Sequence, residues 1–423
     1  MHKLVEFPNK AKLILIPFLD TKAITVLFLF GVGSRYEEKI INGASHFIEH
    51  LMFKGTKKRP TTLDISKDLD AVGAEFNAMT SKDYTGYYIK INHEQVELAV
   101  DILSDMLLNS KFDPTEIKRE KGVIIEEINM YHDNPLMYIE SVFEESVFQG
   151  SSLGWDISGP VSAIRKMTRK QLLDYRNKHY RPENLVIAVA GKIDSKITGL
   201  IKKRFVDKLD KDDEPLQEFV PFQPDQSAPR VKIQYRKTKQ VQVALGFPCF
   251  GYNDPRIYAL HLLTIILGGN MSSRLFISVR ERRGLAYFVR CYPNFYQESG
   301  NFMVQSGLDI TRLDEALKVI LHELKKVKTE IMTKKELDDA REFLRGKTIL
   351  NLEDSSNLAE YFAKQELLTG KMLTPEQKLK KYEQVTPSMI KEVANEIFQK
   401  KLFNLALIGP FKSKEKFFEQ IDL

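Results

Sequence analysis

Asn184-Leu185-Val186-Ile187-Ala188-Val189-Ala190-Gly191 is an unbroken apolar run between an Asn-Leu opening and a glycine stop, and it reads as a buried strand. Met167-Thr168 precedes it and starts a helix that ends near His179. The same order returns later. Val385-Thr386 starts a helix that leads to Asn404-Leu405-Ala406-Leu407-Ile408-Gly409. Further out, the strand signal at 241–248 and the helix signal at 259–267 echo those at 24–30 and 44–53. Between the copies, residues 207–229 hold Pro215, Pro221, Pro224 and Pro229 beside a Lys-Asp-Asp-Glu run, with no apolar period, and read as a linker. The fold class is therefore α+β. It comprises two equivalent domains, 1–206 and 230–423, each a sheet with helices packed on it.

Composition narrows the function. Of 423 residues, 43% are hydrophobic and 28% charged, the balance of a globular chain. Lys plus Arg is 63 against 57 Asp plus Glu, a net charge of +6 with signs interspersed, which excludes the clustered basic face of a nucleic-acid binder. Two cysteines, Cys249 and Cys291, build neither a disulfide framework nor a cysteine zinc site. The longest uncharged stretch, 257–273, is broken by Gly268-Gly269-Asn270, so no membrane span is expected. Lys3, Glu6, Lys10 and Lys12 leave no room for a signal peptide, and a cytoplasmic location is expected.

His46-Phe47-Ile48-Glu49-His50 carries the chemistry. On a helix, His46 and His50 lie one turn apart and point the same way, so two imidazoles can share one Zn²⁺. Glu49 between them is placed to take a proton from water. With only 8 histidines in the chain, this pattern arises by chance in about one such sequence per hundred. Two histidines that merely solvate a helix end fit poorly among Phe47, Ile48, Leu51 and Met52.

A hydrolytic zinc needs a third protein ligand. Asp113-Pro114 opens a long helix towards Tyr131, on which Glu120 and Glu127 lie two turns apart. Their stripe is expected to include Val123 and Ile124 and to face the core, while Glu126 faces water. Periodicity leaves both Glu120 and Glu127 open as the ligand.

The motif His46 to His50, followed 77 residues after His50 by Glu127 in Arg119-Glu120-Lys121-Gly122-Val123-Ile124-Ile125-Glu126-Glu127, resembles the insulinase/pitrilysin family of zinc metallopeptidases. The closer resemblance is to its two-domain branch, the bacterial proteases similar to the mitochondrial processing peptidase β subunit. Gly73-Ala74-Glu75-Phe76-Asn77-Ala78-Met79-Thr80-Ser81, His179-Tyr180-Arg181-Pro182-Glu183-Asn184, residues 268–275, Arg280 to Tyr287 and Phe343-Leu344-Arg345-Gly346-Lys347 extend it over essentially the whole chain. The resemblance implies a mixed, mostly antiparallel sheet in each domain. It also implies one Zn²⁺ per chain on His46, His50 and Glu127, and a catalytic set of Glu49 with Glu120 supporting the ligands. Asn77 and Ala78 would receive the substrate as an added strand. Arg280 and Tyr287 would contact the substrate backbone and steady the tetrahedral intermediate.

The second half has apolar residues where the repeat would place the histidines, and it alone carries the Arg280/Tyr287 pair. The resemblance therefore implies a homodimer in which that pair completes the partner's zinc site, acting on unfolded peptides or presequence-like segments in a closed chamber. Two rival roles are a catalytic half that works with a different partner chain, and a non-enzymatic assembly subunit. Gly31-Val32-Gly33 is not a dinucleotide loop, because Tyr36 stands at the third glycine position. His93, His132, His179, His261 and His322 are isolated. Ser45 and Cys249 lack the partners of a nucleophile.

Overall fold

The computed structural model describes residues 2–18, 20–209 and 215–423. It divides into two compact units. One contains Met1–Ile128, Asp156–Val220 and Thr348–Leu373; the other contains Asn129–Trp155, Pro221–Lys347 and Thr374–Leu423.

The sheet of the first unit has β1 (Lys3–Glu6), β2 (Lys12–Pro17), β3 (Ala23–Phe30), β4 (Glu75–Thr80), β5 (Thr85–Asn92) and β6 (Leu185–Gly191), in the order β1-β2-β6-β3-β5-β4. The sheet of the second has β7 (Arg230–Tyr235), β8 (Gln240–Phe250), β9 (Ala286–Phe295), β10 (Ser299–Asp309) and β11 (Asn404–Gly409), in the order β7-β11-β8-β10-β9. Leaving β1 aside, the two orders correspond strand for strand. Each sheet has a single parallel pair, β2 with β6 and β7 with β11. The duplication read from the apolar runs is thus a duplication of topology.

Those runs are unbroken because helices cover both faces of each sheet. In β3, Ile24, Val26, Phe28 and Phe30 face one core, together with Phe47, Leu103 and Leu172 from three helices. Leu27 and Leu29 face the other, with Ala359, Phe362 and Ala363 of the helix Ser355–Thr369. In the second unit, Val243, Leu245 and Phe247 of β8 pack in the larger core, while Ala244, Met303, Ala406 and Ile408 pack with Ile139, Val142 and Phe143 of the helix Pro135–Val147.

Residues 207–229 therefore separate the strands of the two sheets but not the two compact units. The helix Pro135–Val147, from the first half of the chain, covers the second sheet, and Ser355–Thr369, from the second half, covers the first. Within 207–229, residues 207 and 208 belong to the short 3-10 turn Val206–Lys208, 215–228 carry no helix or strand, and 210–214 lie outside the described residues. Among the described residues, no helix is long and apolar enough to cross a membrane.

Candidate metal centre

The helix Ala44–Met52 follows a turn at Gly43, whose φ of 100° lies in the left-handed region and suits a residue without Cβ. A Cβ there would also stand 2.5 Å from the Ser158 carbonyl oxygen. No side chain at the cap position satisfies the first N–H groups. Glu37, 5% exposed, does so from a distance: its Oε2 accepts from the Gly43 N–H at 2.7 Å and Asn42 Nδ2 at 2.9 Å, and its Oε1 from the Ser45 N–H at 2.7 Å. Burial pushes the Glu37 carboxyl up to about 7, against the pull of these donors.

His46 and His50 present their Nε2 atoms to each other at 3.2 Å. Glu127 Oε2 stands 3.6 Å from His46 Nε2 and 3.5 Å from His50 Nε2. Ligands about 2.1 Å from a tetrahedral zinc are separated by about 3.4 Å, so the three atoms mark out one face of such a tetrahedron. The donor set fits the ion. Among the described residues, this is the one group of three His, Cys, Asp or Glu whose ligand atoms converge in this way.

The tautomer of His50 follows from its other nitrogen. Nδ1 lies 3.1 Å from Glu120 Oε2, and a carboxylate only accepts, so Nδ1 carries a hydrogen and Nε2 is the nitrogen whose lone pair a metal would take in place of a proton. Glu120 is 1% exposed, and its second oxygen pairs with Lys54 Nζ at 2.8 Å. Burial opposes charge on His50, but the hydrogen bonds its ring donates to Glu120 and Glu127 outweigh it, and the imidazole is pushed up to about 9. Burial and the neighbouring His50 push His46 down to about 4. The carboxylates around the two rings thus favour a positive charge between them, which a divalent cation supplies.

Periodicity could not choose between Glu120 and Glu127; the structure separates them. Glu127 presents an oxygen to both Nε2 atoms, whereas Glu120 meets His50 at Nδ1. The expected stripe is corrected in one place: Val123 is 46% exposed, and the buried series is Ile117, Glu120, Ile124 and Ile128. These fall at steps of three and four, the spacing of one helix face, and Val123 lies beside it. Glu126 is exposed, as expected.

Glu49 is drawn upward from the ordinary carboxyl range by burial, opposed by the Thr80 hydroxyl, which donates to its Oε2. Thr80 was not singled out from the sequence. It ends β4, and its only signal is that it shares a strand face with Ala78. Asn77 and Ala78 lie on β4, the edge strand of the first sheet, with Asn77 exposed and Ala78 half-buried. Asn77 Oδ1 accepts the Ala78 N–H at 2.9 Å. Ser45 bonds to the Tyr175 hydroxyl at 3.0 Å, a structural contact.

Arg280 and Tyr287 belong to the second unit, and the structure brings these two together: the guanidinium carbon lies 5.8 Å from the Tyr287 ring centre and 4.9 Å from that of Phe276. Tyr287 is 79% exposed on the edge strand β9. The chain preceding the pair winds at Ile265–Gly269 into a wide helical turn, in which Gly268 lies against Cys291; a Cβ would meet that Sγ at 2.5 Å. Both cysteines are free.

Comparison with known proteins agrees with this geometry. Residues 18–161 match the family model "Insulinase (Peptidase family M16)", and residues 166–344 match "Peptidase M16 inactive domain". A Streptomyces coelicolor protein named "Uncharacterized zinc protease" is 37% identical over 388 residues, which is 91% of this chain and 84% of that one. Bacillus subtilis YmxG, which carries the same designation, is 33% identical over 402 residues, 95% of this chain and 97% of its own. A crystal structure of a protease from Helicobacter pylori superposes with a TM-score of 0.91 at 25% identity, covering 97% of this chain and 99% of that one.

Proposed function

This chain belongs to the insulinase family of peptidases, family M16, and from that premise we propose that it is a zinc-dependent endopeptidase acting on unfolded peptides or presequence-like segments. The observation that carries this reading is the convergence of His46 Nε2, His50 Nε2 and Glu127 Oε2 with separations of 3.2 to 3.6 Å, beside the half-buried Glu49 carboxylate, which is not among the converging atoms. Held by these three residues, one zinc per chain supplies Lewis acidity that polarises a peptide carbonyl and acidifies water.

The chain's own groups do the rest. Glu49, oriented by Thr80, takes the proton of the attacking water on its carboxylate and delivers it to the leaving amide nitrogen. Its upward shift suits both tasks, since a raised carboxyl is a better base and remains able to give the proton back. Glu120 fixes the His50 ring, and the open edge of β4 at Asn77 and Ala78 offers main-chain hydrogen bonds to an extended substrate. The Arg280 guanidinium and Tyr287 phenol suit a role as donors to the oxyanion. The two free cysteines and a His/Glu ligand set support a reducing, cytoplasmic setting.

Zinc content and cleavage of a quenched peptide by the isolated chain, with and without chelator, test this reading. Glu49→Gln should keep its zinc and lose about 10²- to 10⁴-fold in turnover. A zinc-free chain, or one cleaving equally well in chelator, defeats the peptidase assignment.

The zinc ligands lie in one compact unit and the Arg280/Tyr287 pair in the other, and we propose that the pair of one copy completes the zinc site of a second, in a homodimer whose two copies form the chamber. Arg280→Ala and His46→Ala chains, each inactive alone, should recover activity when mixed. Failure of the mixture to recover would leave the pair acting in cis or with a different partner chain.

A further inference from the structure

The second unit holds a cavity of about 630 Å³, lined by Asn134, Leu136, Thr238, Gln240, Gln242 and Arg290, with Phe288 and the exposed Tyr287 also in its wall. Its chemistry has one sign. No Asp or Glu lines it. Arg290 is held through Nε and Nη2 on Gln305 Oε1, at 3.0 and 2.7 Å, and no carboxylate among the described residues lies within ion-pair distance of it. The nearby acids are engaged elsewhere: Glu140 accepts from Tyr292 and Asn294, and Asp309, opposite Gln240 in the sheet, accepts from Thr311. Lys237 and Lys239, on either side of Thr238, are exposed. The helix Pro135–Val147 begins at the cavity and adds the positive end of its dipole.

A fixed guanidinium without its own carboxylate, with the side-chain amides of Asn134, Gln240 and Gln242 in the same wall, suits recognition of a carboxylate, while the Thr238 hydroxyl is already engaged in donating to the Gln240 carbonyl oxygen. The Gln242 carbonyl oxygen is buried without a partner, and the N–H of a peptide residue would satisfy it. We propose that this cavity is a specificity subsite for a carboxylate-bearing residue of the peptide substrate, either an acidic side chain or the C-terminal residue. Arg290 is its anchor, and Tyr287 joins it to the substrate-contact pair. The occupant rests on the peptidase reading above; the preference for a carboxylate rests on the cavity.

The test measures binding first. Short fluorescein-labelled peptides, with one Glu or Gln moved stepwise through an Ala/Leu background and each made as C-terminal acid and amide, are titrated against the full zinc-loaded Glu49→Gln chain by anisotropy. Changing Glu to Gln at one position, or acid to amide at the C-terminus, should weaken binding about tenfold. The first result identifies a side chain as occupant and the second a terminus. In Arg290→Gln the difference should fall below about twofold. Gln242→Glu, which sets a carboxylate in the cavity, should reverse the preference towards a Lys-containing peptide. Differences below about twofold throughout, or differences that survive both variants, overturn the subsite. The same peptides are then offered to the native chain. Preferential binding without cleavage defeats the peptidase reading alone, and cleavage without preference defeats the subsite alone.

Discussion

The two units share a strand order but not a chemistry, and the helices that follow β3 and β8 show where they part. Ala44–Met52 carries His46, Glu49 and His50 and begins on a buried carboxylate; Ile257–Thr264 in the same topological place is almost wholly apolar, with one histidine, His261, bonded to the Tyr382 hydroxyl at 2.8 Å. The contrast continues at the end of each unit's last helix before its final strand. Eleven residues after the Thr168 and Thr386 caps stand His179 and Ile397, both buried, followed by Tyr180 and Phe398. Tyr180 shares a hydrogen bond with Tyr87 at 2.9 Å, whereas Phe398 packs on Phe247 and Phe302. One topology tolerates either interior. At these matching positions the first unit buries polar groups that need partners, and the second buries apolar ones that need only volume.

Three experiments probe that contrast, beginning with the largest effect. His46→Ala should remove the zinc measured by atomic spectroscopy, whereas His261→Ala should leave it bound; zinc retained in the first or lost in the second breaks the assignment of roles to the two helices. Glu37→Ala leaves the Gly43 and Ser45 N–H groups and the Asn42 amide without their acceptor. It should lower stability in a urea titration by about 3 kcal/mol and weaken zinc binding in a competition with chelator, because the helix that holds both histidines loses its start. A loss of under about 1 kcal/mol would show that the carboxylate is not the cap.

The third concerns acid. Burial first, then Lys178 and Arg181, push His179 down to about 4, below its ordinary 6.5. The unfolded chain therefore binds the proton more readily. His179 favours the folded state fully only above 6.5, and stability is lost as pH falls from 6.5 towards 4, by up to about 3 kcal/mol at 1.36 kcal/mol per pH unit. The matching position of the second unit is Ile397, and the buried histidine of that unit is His261 instead, pushed down to about 4 by burial and then by Lys378. His179→Phe should flatten the decline over that window, and an unchanged slope would place the acid sensitivity elsewhere.

How much of this was legible follows from sequence distance. The apolar runs showed which segments become strands, and the Thr caps and Asn-Leu openings showed that they come in two sets, because these signals lie within a few residues of one another. His46, Glu49 and His50 were legible for the same reason: one helical turn joins them. Glu120 and Glu127 share a stripe, so periodicity had no means to rank them; the ranking depends on which nitrogen of His50 each one meets. Glu37 and Thr80 carry no local pattern. Each reaches the motif helix across a turn or from another strand, and nothing in their own neighbourhood marks a carboxylate as a helix cap or a hydroxyl as a donor to Glu49. The crossing helices were equally hidden: an apolar strand face announces that it will be covered, not by which segment.

That crossing sets a schedule for making the protein. A chain still short of residue 355 has all six strands of its first sheet, yet Ile14, Ile16, Leu27, Leu29, Val186, Ala188 and Ala190 have no helix to lie against. The sheet is wetted on one side until Ser355–Thr369 has been synthesised, some 160 residues after β6. The two units are thus separate as cores but not as products of translation. A gene cut at the linker would give one fragment lacking the cover of its own sheet and carrying the cover of the other's, so the pieces would have to meet before either could be complete.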